Sequence, residues 1–461
     1  MNPWLKRRPV CQLEPVPTIE ELLSLADRFS HQIGTSLFLS GGESSLSHRS
    51  LLALFAEREI WIEGSNLFIA EQGGDGIAQA SGHNSWQLLQ SHLPIDPLAM
   101  PWLGYLAYEM GAPSLVESAS HKSYFVQCKL LIELDHRADR AFLHLSSDWS
   151  VGLGHEEQEL IETLLAARSL ASLQLEQVDR APLKESSSIH IVAPWDTLAS
   201  YSEKIALAKE WILDGLVYQV NLSQQLLLQS ALDPMALFAA LFRQCPQPYS
   251  AFLHSRSSHF LSLSPERFLF RSGSYLETRP IKGTAPRGTT AEEDERLLDR
   301  LCQSEKEEAE LLMITDLMRN DLARVCHLDS VEVTCLRDYE RHPHLFHMHS
   351  IVVGKPLEEL SPFELIAPCF PAGSVTGCPK WKALELIQKL EKRCRSVYTG
   401  AIGYIAGFDQ FDFSVAIRTL ELRGELLSIQ MGGAITIDSD PGAEYEETFH
   451  KGAPFLRLLG L

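Results

Sequence analysis

A surplus of positive charge is missing from this chain. Lys and Arg number 40 against 60 Asp and Glu, a formal charge of −20. The basic footprint of a duplex-binding surface is therefore absent, and no nucleic-acid partner is expected. Long apolar runs are missing too, since no stretch approaches the roughly 18 consecutive apolar residues of a membrane-spanning helix. The start, Met1 to Arg8, is basic but runs into Pro9, Gln12 and Glu14 without an apolar segment, unlike a signal peptide. Nine cysteines, an odd number with no Cys-x-x-Cys, describe neither a disulfide framework nor a zinc knuckle. Internal repeats and low-complexity tracts are absent as well. What is left is a 461-residue chain, 45% hydrophobic and 22% charged. That is enough for two or three domains with a large core, expected to be cytoplasmic and outside any membrane.

The organisation follows from periodicity and breakers. Glu156 to Leu173 has helical spacing and strong helix formers. The polar run Asp179 to Ser188, with a Pro and three Ser, marks a boundary. It separates an N-terminal region, 1–180, from a second region over 190–455. In the second region Tyr201 to Gly215 reads as a helix and Val217 to Leu222 as a strand. Glu292 to Cys326 reads as helical with an interruption near Gln303. Val397 to Ala406, Phe411 to Glu421 and Leu426 to Ile437 read as a β-meander. Phe411, Phe413, Val415 and Ile417 share one face of the middle strand, and Asp412, Ser414 and Arg418 the other. Strands in runs with helices grouped between them predict an α+β fold, a two-layer antiparallel β-sheet core flanked by helices.

Two glutamate pairs stand out at i, i+3 spacing: Glu307 with Glu310, and Glu444 with Glu447 just after Pro441. Four carboxylates in one cleft would repel by roughly 3 kcal/mol per pair at about 5 Å and an effective dielectric near 20. A hard divalent cation such as Mg²⁺ would remove that penalty. Ordinary roles remain open: Ser304-x-x-Glu307 is a capping box, and Glu447 with Lys451 is an i, i+4 surface pair. Lys282 lies in Thr278-Arg279-Pro280-Ile281-Lys282-Gly283-Thr284-Ala285-Pro286, a shaped loop where a lysine could lose its proton and act as a nucleophile, or could simply be solvated. Glu266, in Ser264-Pro265-Glu266-Arg267-Phe268, could be a general acid or the partner of Arg267. His342, His344, His347 and His349 lack the Cys partners or His-Glu-x-x-His spacing of a zinc site. Gly373 to Lys380 lacks the Gly-Lys-[Ser/Thr] ending of a phosphate loop.

Read together, these segments resemble the chorismate-utilising enzymes, the family of anthranilate, aminodeoxychorismate, isochorismate and salicylate synthases. The resemblance rests on Ser264–Phe268, Arg279–Thr284, Asp316-Leu317-Met318-Arg319-Asn320-Asp321, Gly373-Ser374-Val375-Thr376-Gly377, Tyr398–Tyr404, Ala416–Thr419 and Gly432-Gly433-Ala434-Ile435, which occur in the family's order. Trp102–Tyr105 and Pro248–Phe252 fit more loosely, and on the first of these 1–180 resembles the N-terminal region of anthranilate synthase component I. The resemblance implies Mg²⁺ as cofactor, with Glu310 and Glu447 as ligands and Glu307 and Glu444 holding its waters. It implies that Arg418, Tyr404 and the amides of Gly432 and Gly433 bind the enolpyruvyl carboxylate of chorismate. Thr284 and Lys451 match further substrate contacts, His347 matches a histidine near the C4 hydroxyl, and Glu266 matches the acid that protonates it.

Two positions choose among the members. Water-adding members carry a lysine base where this chain has Gln219, so Gln219 indicates a site that uses ammonia. Lys282 stands where anthranilate synthases usually have alanine and aminodeoxychorismate synthases have lysine. The implied chemistry is amination of chorismate at C4 through a covalent Lys282 intermediate. None of the cysteines has the Gly-x-Cys-x-Gly setting of a glutaminase nucleophile, so a separate glutamine amidotransferase subunit is the expected partner for use of glutamine. An anthranilate-forming enzyme and a non-catalytic regulatory subunit are the rival readings.

Overall fold

The computed structural model describes residues 9–461 apart from 43, 73, 83, 113–120, 174, 179–188 and 342–344. The basic start Met1 to Arg8, the boundary segment Asp179 to Ser188, His342 and His344 lie outside the described residues.

The chain is an α+β fold in which every strand pairing among the described residues is antiparallel. The strands form one hydrogen-bonded network. Ser36–Leu39 and Trp102–Leu106, early in the chain, pair with Tyr249–His254 and Ala401–Gly407. The alternation of side chains along each strand sorts the core. Leu51, Ala53, Tyr105, Tyr124, Leu253, Phe260 and Ile402 meet in an interior supplied by strands and their flanking turns. Their neighbours Leu52, Leu54, Phe252 and Leu261 point outward, against Ile19–Arg28, His155–Ala167 and Pro234–Gln244. A second helical layer, Ser85–His92, Glu305–Ala323 and Pro362–Cys369, covers Phe268, Leu269, Phe411 and Phe413. No helix among the described residues is long and apolar enough to cross a membrane.

Most expected elements are present at shifted bounds: the helix read over 156–173 is His155–Ala167, and the strand read over 217–222 is Gln219–Gln229. The 292–326 stretch is two helices, Ala291–Cys302 and Glu305–Ala323, broken at Gln303 as the periodicity implied. The strand expected over 397–406 begins only at Ala401, because residues 395–400 form a turn. The strand expected over 411–421 is two strands, Gln410–Val415 and Thr419–Arg423, with a bend at 416–418.

Arg267 does not pair with Glu266. Its guanidinium is buried over the Phe270 ring and bonds Glu277 at 2.5 Å, Asp412 at 3.1 Å and the Tyr249 hydroxyl at 2.5 Å. Removing one partner of a buried ion pair strands the other charge. Arg267→Met is expected to destabilise the fold by about 3–5 kcal/mol, read as a lower urea midpoint at unchanged slope.

Candidate active site

Four segments bring the predicted groups together. Helix Glu305–Ala323 carries Glu307 and Glu310, and helix Pro441–Leu459 carries Glu444, Glu447 and Lys451. Strand Ile281–Pro286 carries Lys282 and Thr284, and strand Leu426–Ile435 carries Gly432 and Gly433. The second helix starts sharply because Asp440 caps the Ala443 N–H and Pro441 fills its first position.

The carboxylates of the two helices face one another. Lys306 Nζ lies 3.9 Å from Glu310 Oε1 and 3.7 Å from Glu444 Oε1, so one ammonium spans both helices. Gly433 lies beside the second pair, since a Cβ there would meet Glu444 at 3.3 Å and Glu447 at 3.6 Å. Gly283, at φ +85°, brings the lysine strand to the first pair, where a Cβ would meet Glu307 at 3.3 Å. Ser304 caps the helix through the Glu307 N–H at 3.4 Å, while the Glu307 carboxylate is turned to Gly283.

Mutual repulsion is visible in the protonation of the group. Burial, then Glu310 and Glu447, raise the pKa of Glu307, and burial, then Glu447, raise that of Glu444 against a 2.7 Å bond from Ser439. Burial works the same way on Glu447, but Lys451 at 2.6 Å, with Lys282 and Lys306, holds it below its usual value. The all-carboxylate donor set suits Mg²⁺. As they stand the carboxylates are held by lysines. Among the described residues no three His, Cys, Asp or Glu side chains are grouped closely enough to ligate an ion.

Beside this group lies the buried carboxyl of Glu266. It accepts from the Ile281 N–H and from Ser374 Oγ at 2.5 Å. Burial pushes its pKa up to about 7, against the Ser374 bond and the Lys282 charge. Lys282 is half-buried, and burial lowers its pKa. Glu310 and Glu266 oppose that shift, and Lys451 adds to it. Burial thus raises the pKa of the carboxyl and lowers that of the neighbouring amine, shifts that favour the uncharged form of each.

Arg418 stands at the bend between Val415 and Thr419 with φ +50°, a sparsely populated backbone for a side-chain-bearing residue and a common mark of functional sites. Burial lowers its pKa, against Cys245 and the Glu266 carboxylate. Thr284 Oγ1 meets His347 Nδ1 at 3.2 Å, in register across adjacent strands, and Lys451 Nζ donates to the Gly432 carbonyl at 3.0 Å. Gln219 is fully buried on the strand paired with 426–435, and neither of its amide atoms has a partner among the described residues.

Tyr404 does not join this group. It pairs with Asp412 across the sheet and lines a cavity of about 620 Å³ with Arg267, Glu277 and Arg279, whose walls include none of the four glutamates, Glu266, Lys282 or Arg418. Alternation decides this, since Tyr404 shares the face of its cross-strand neighbour Asp412. Sequence reasoning passed over Lys306, Ser374 and Ser439. Ser374 was signalled by its place between two glycines, whereas Lys306 reads as one more charge on an exposed turn.

A family model described as chorismate binding enzyme matches residues 53–457. The chain belongs to this family. The chorismate-binding enzyme is 40% identical over 257 residues to anthranilate synthase component 1 1 of Haloarcula marismortui, covering 56% of this chain and 52% of that one. It is 36% identical over 307 residues to aminodeoxychorismate synthase component 1 of Salmonella typhimurium, covering 66% and 67%. The match therefore spans about half the length of the first relative and two thirds of the second. The fold matches the crystal structure of anthranilate synthase component I from Streptococcus pneumoniae TIGR4 with a TM-score of 0.71 at 26% identity, over 89% of this chain and 92% of that one.

Proposed function

We propose that this chorismate-binding enzyme is component I of an aminodeoxychorismate synthase, forming 4-amino-4-deoxychorismate from chorismate and ammonia. The observation that carries the reading is Lys282 beside the buried Glu266, within the electrostatic reach of Glu310 and Glu447. Gln219 supports it, since an amide cannot serve as the base that a water-adding site needs. Several relatives bear the aminodeoxychorismate synthase name.

Glu307, Glu310, Glu444 and Glu447 would hold Mg²⁺, displacing Lys306 and Lys451 from their carboxylates. A magnesium ion there supplies a positive centre that polarises the ring carboxylate and drains electron density from the diene. Arg418 binds the enolpyruvyl carboxylate through its planar donor fork. Neutral Lys282 forms a bond to C2, both ring double bonds shift (C1=C2 to C1=C6 and C5=C6 to C4=C5), and the C4–O bond breaks as Glu266 gives its proton to the hydroxyl, which leaves as water. Ammonia then bonds to C4, both double bonds shift back and the C2–N bond breaks, returning neutral Lys282, and the new C4 ammonium gives a proton back to Glu266. A glutamine amidotransferase partner would supply the ammonia.

Purified chain with chorismate, an ammonium salt and Mg²⁺ is expected to give an amino product that keeps its enolpyruvyl group, identified by mass spectrometry. Chelation with EDTA is expected to stop it. Anthranilate with free pyruvate would instead assign the chain to the other branch, which the Haloarcula relative represents.

A further inference from the structure

Behind the substrate-facing groups lies a buried ion pair that the mechanism does not use. Arg395 and Glu391 are each about 1% exposed and meet at 2.7 and 3.0 Å. Replacing such a pair with apolar groups often costs little stability, so its presence calls for another reason. The other donors of the guanidinium supply one. Nη1 donates to the Val375 carbonyl at 3.0 Å and to Thr399 Oγ1 at 3.2 Å, and Nη2 to the Asn221 carbonyl at 2.9 Å.

These acceptors belong to three segments distant in sequence, one of which holds Ser374 against Glu266. Asn221 is two residues from the unpartnered Gln219. Val375 follows Ser374, the residue bonded to Glu266. Thr399 follows Tyr398, which is buried beneath the same guanidinium, 6.0 Å from its ring centroid. The last segment also carries two left-handed residues, Ser396 at φ +57° and Thr399 at φ +60°, a conformation that persists only where the surroundings impose it. Here the buried Glu109 carboxylate accepts from the Arg395 and Ser396 N–H groups at 2.7 and 3.3 Å, fixing one end of the turn while the Arg395 side chain fixes the other.

We infer that Arg395, held by Glu391, is a positioning residue that locks these three segments in register and so sets the placement of Gln219, Ser374 with Glu266, and Tyr398. The planar fork explains the need for arginine, because a lysine presents a single point of donation and cannot reach three carbonyl and hydroxyl acceptors in fixed directions. The functional part of this inference rests on the proposed chorismate chemistry.

Two variants test it. Arg395→Lys keeps a positive charge opposite Glu391 but loses the fork. Arg395→Met combined with Glu391→Gln removes both charges while leaving an amide oxygen for the Ser223 N–H that Glu391 accepts at 2.8 Å. In both, amide hydrogen exchange of 373–378 and 395–400 is expected to accelerate on the order of tenfold, with helix Ile19–Arg28 unchanged. Chorismate kcat/KM is expected to fall on the order of 10- to 100-fold at a near-parental thermal midpoint. Exchange that is unaltered, or faster evenly along the chain, would overturn the inference. So would a kcat/KM within about twofold of the parent. A parent chain that does not turn chorismate over would defeat the functional reading alone, because the exchange measurement decides the positioning role without substrate.

Discussion

Lys282→Ala is expected to abolish the amino product while chorismate still binds and the chain still folds. The lysine is half-buried, and its loss leaves no charge stranded, because Glu266 and the glutamates keep Lys451 and Lys306 nearby. The fold therefore has little reason to suffer. The chemistry has every reason to, since Lys282 is an amine whose pKa burial lowers, beside Glu266 and the carboxylate group. A loss on the order of 10³-fold or more in kcat is expected, with the Kd for chorismate changed by less than about tenfold. Lys282→Arg should fare no better, as a guanidinium stays protonated and cannot attack. Single-turnover product analysis with equilibrium binding separates the outcomes. Turnover within tenfold of the parent would exclude a covalent role for Lys282 and leave direct attack by ammonia.

Some of this site was readable in the chain and some was not, for reasons that differ from residue to residue. The glutamate pairs were legible because i, i+3 spacing on a helix fixes a shared face, and the faces turn out to meet across Lys306. Lys282 was legible as a residue in a shaped loop, but its environment was not. Its burial depends on the Ala291–Cys302 and Glu305–Ala323 helices packing against its strand, which no local pattern encodes. The break at Ala416–Arg418 was missed because Phe411 through Ile417 alternates without interruption. The bend comes instead from pairing, as Gln410–Val415 joins Arg267–Ser272 while Thr419–Arg423 joins His259–Ser264. Tyr404 was misplaced for the opposite reason: its motif suggested the substrate, but the face it shares with Asp412 turns it toward the other cavity.

Glu266→Gln is expected to lower kcat on the order of 10²- to 10⁴-fold and yet to make the protein more stable than the parent in alkaline solution. Both halves follow from one displaced pKa. Burial raises the carboxyl from its ordinary 4.5 to about 7, so the folded state holds this proton more tightly than the unfolded chain does. With the folded value above the unfolded one, the favourable contribution is complete below about pH 4.5 and shrinks as pH rises toward 7. Above that the fold carries a buried anion whose burial cost Ser374, Lys282 and the Ile281 N–H offset only in part. Glutamine keeps a carbonyl for Ser374 and never ionises, so its stability relative to the parent should climb between about pH 5 and 7 and then level off. For the parent the same titration puts a falling limb on kcat/KM near neutrality, because the departing C4 hydroxyl needs the protonated acid, and the variant's residual kcat/KM should lack that limb. Urea titrations and rate profiles over pH 5 to 9 check the two together. Parallel stability curves, or a falling limb that survives in Glu266→Gln, would mean that another group donates the proton.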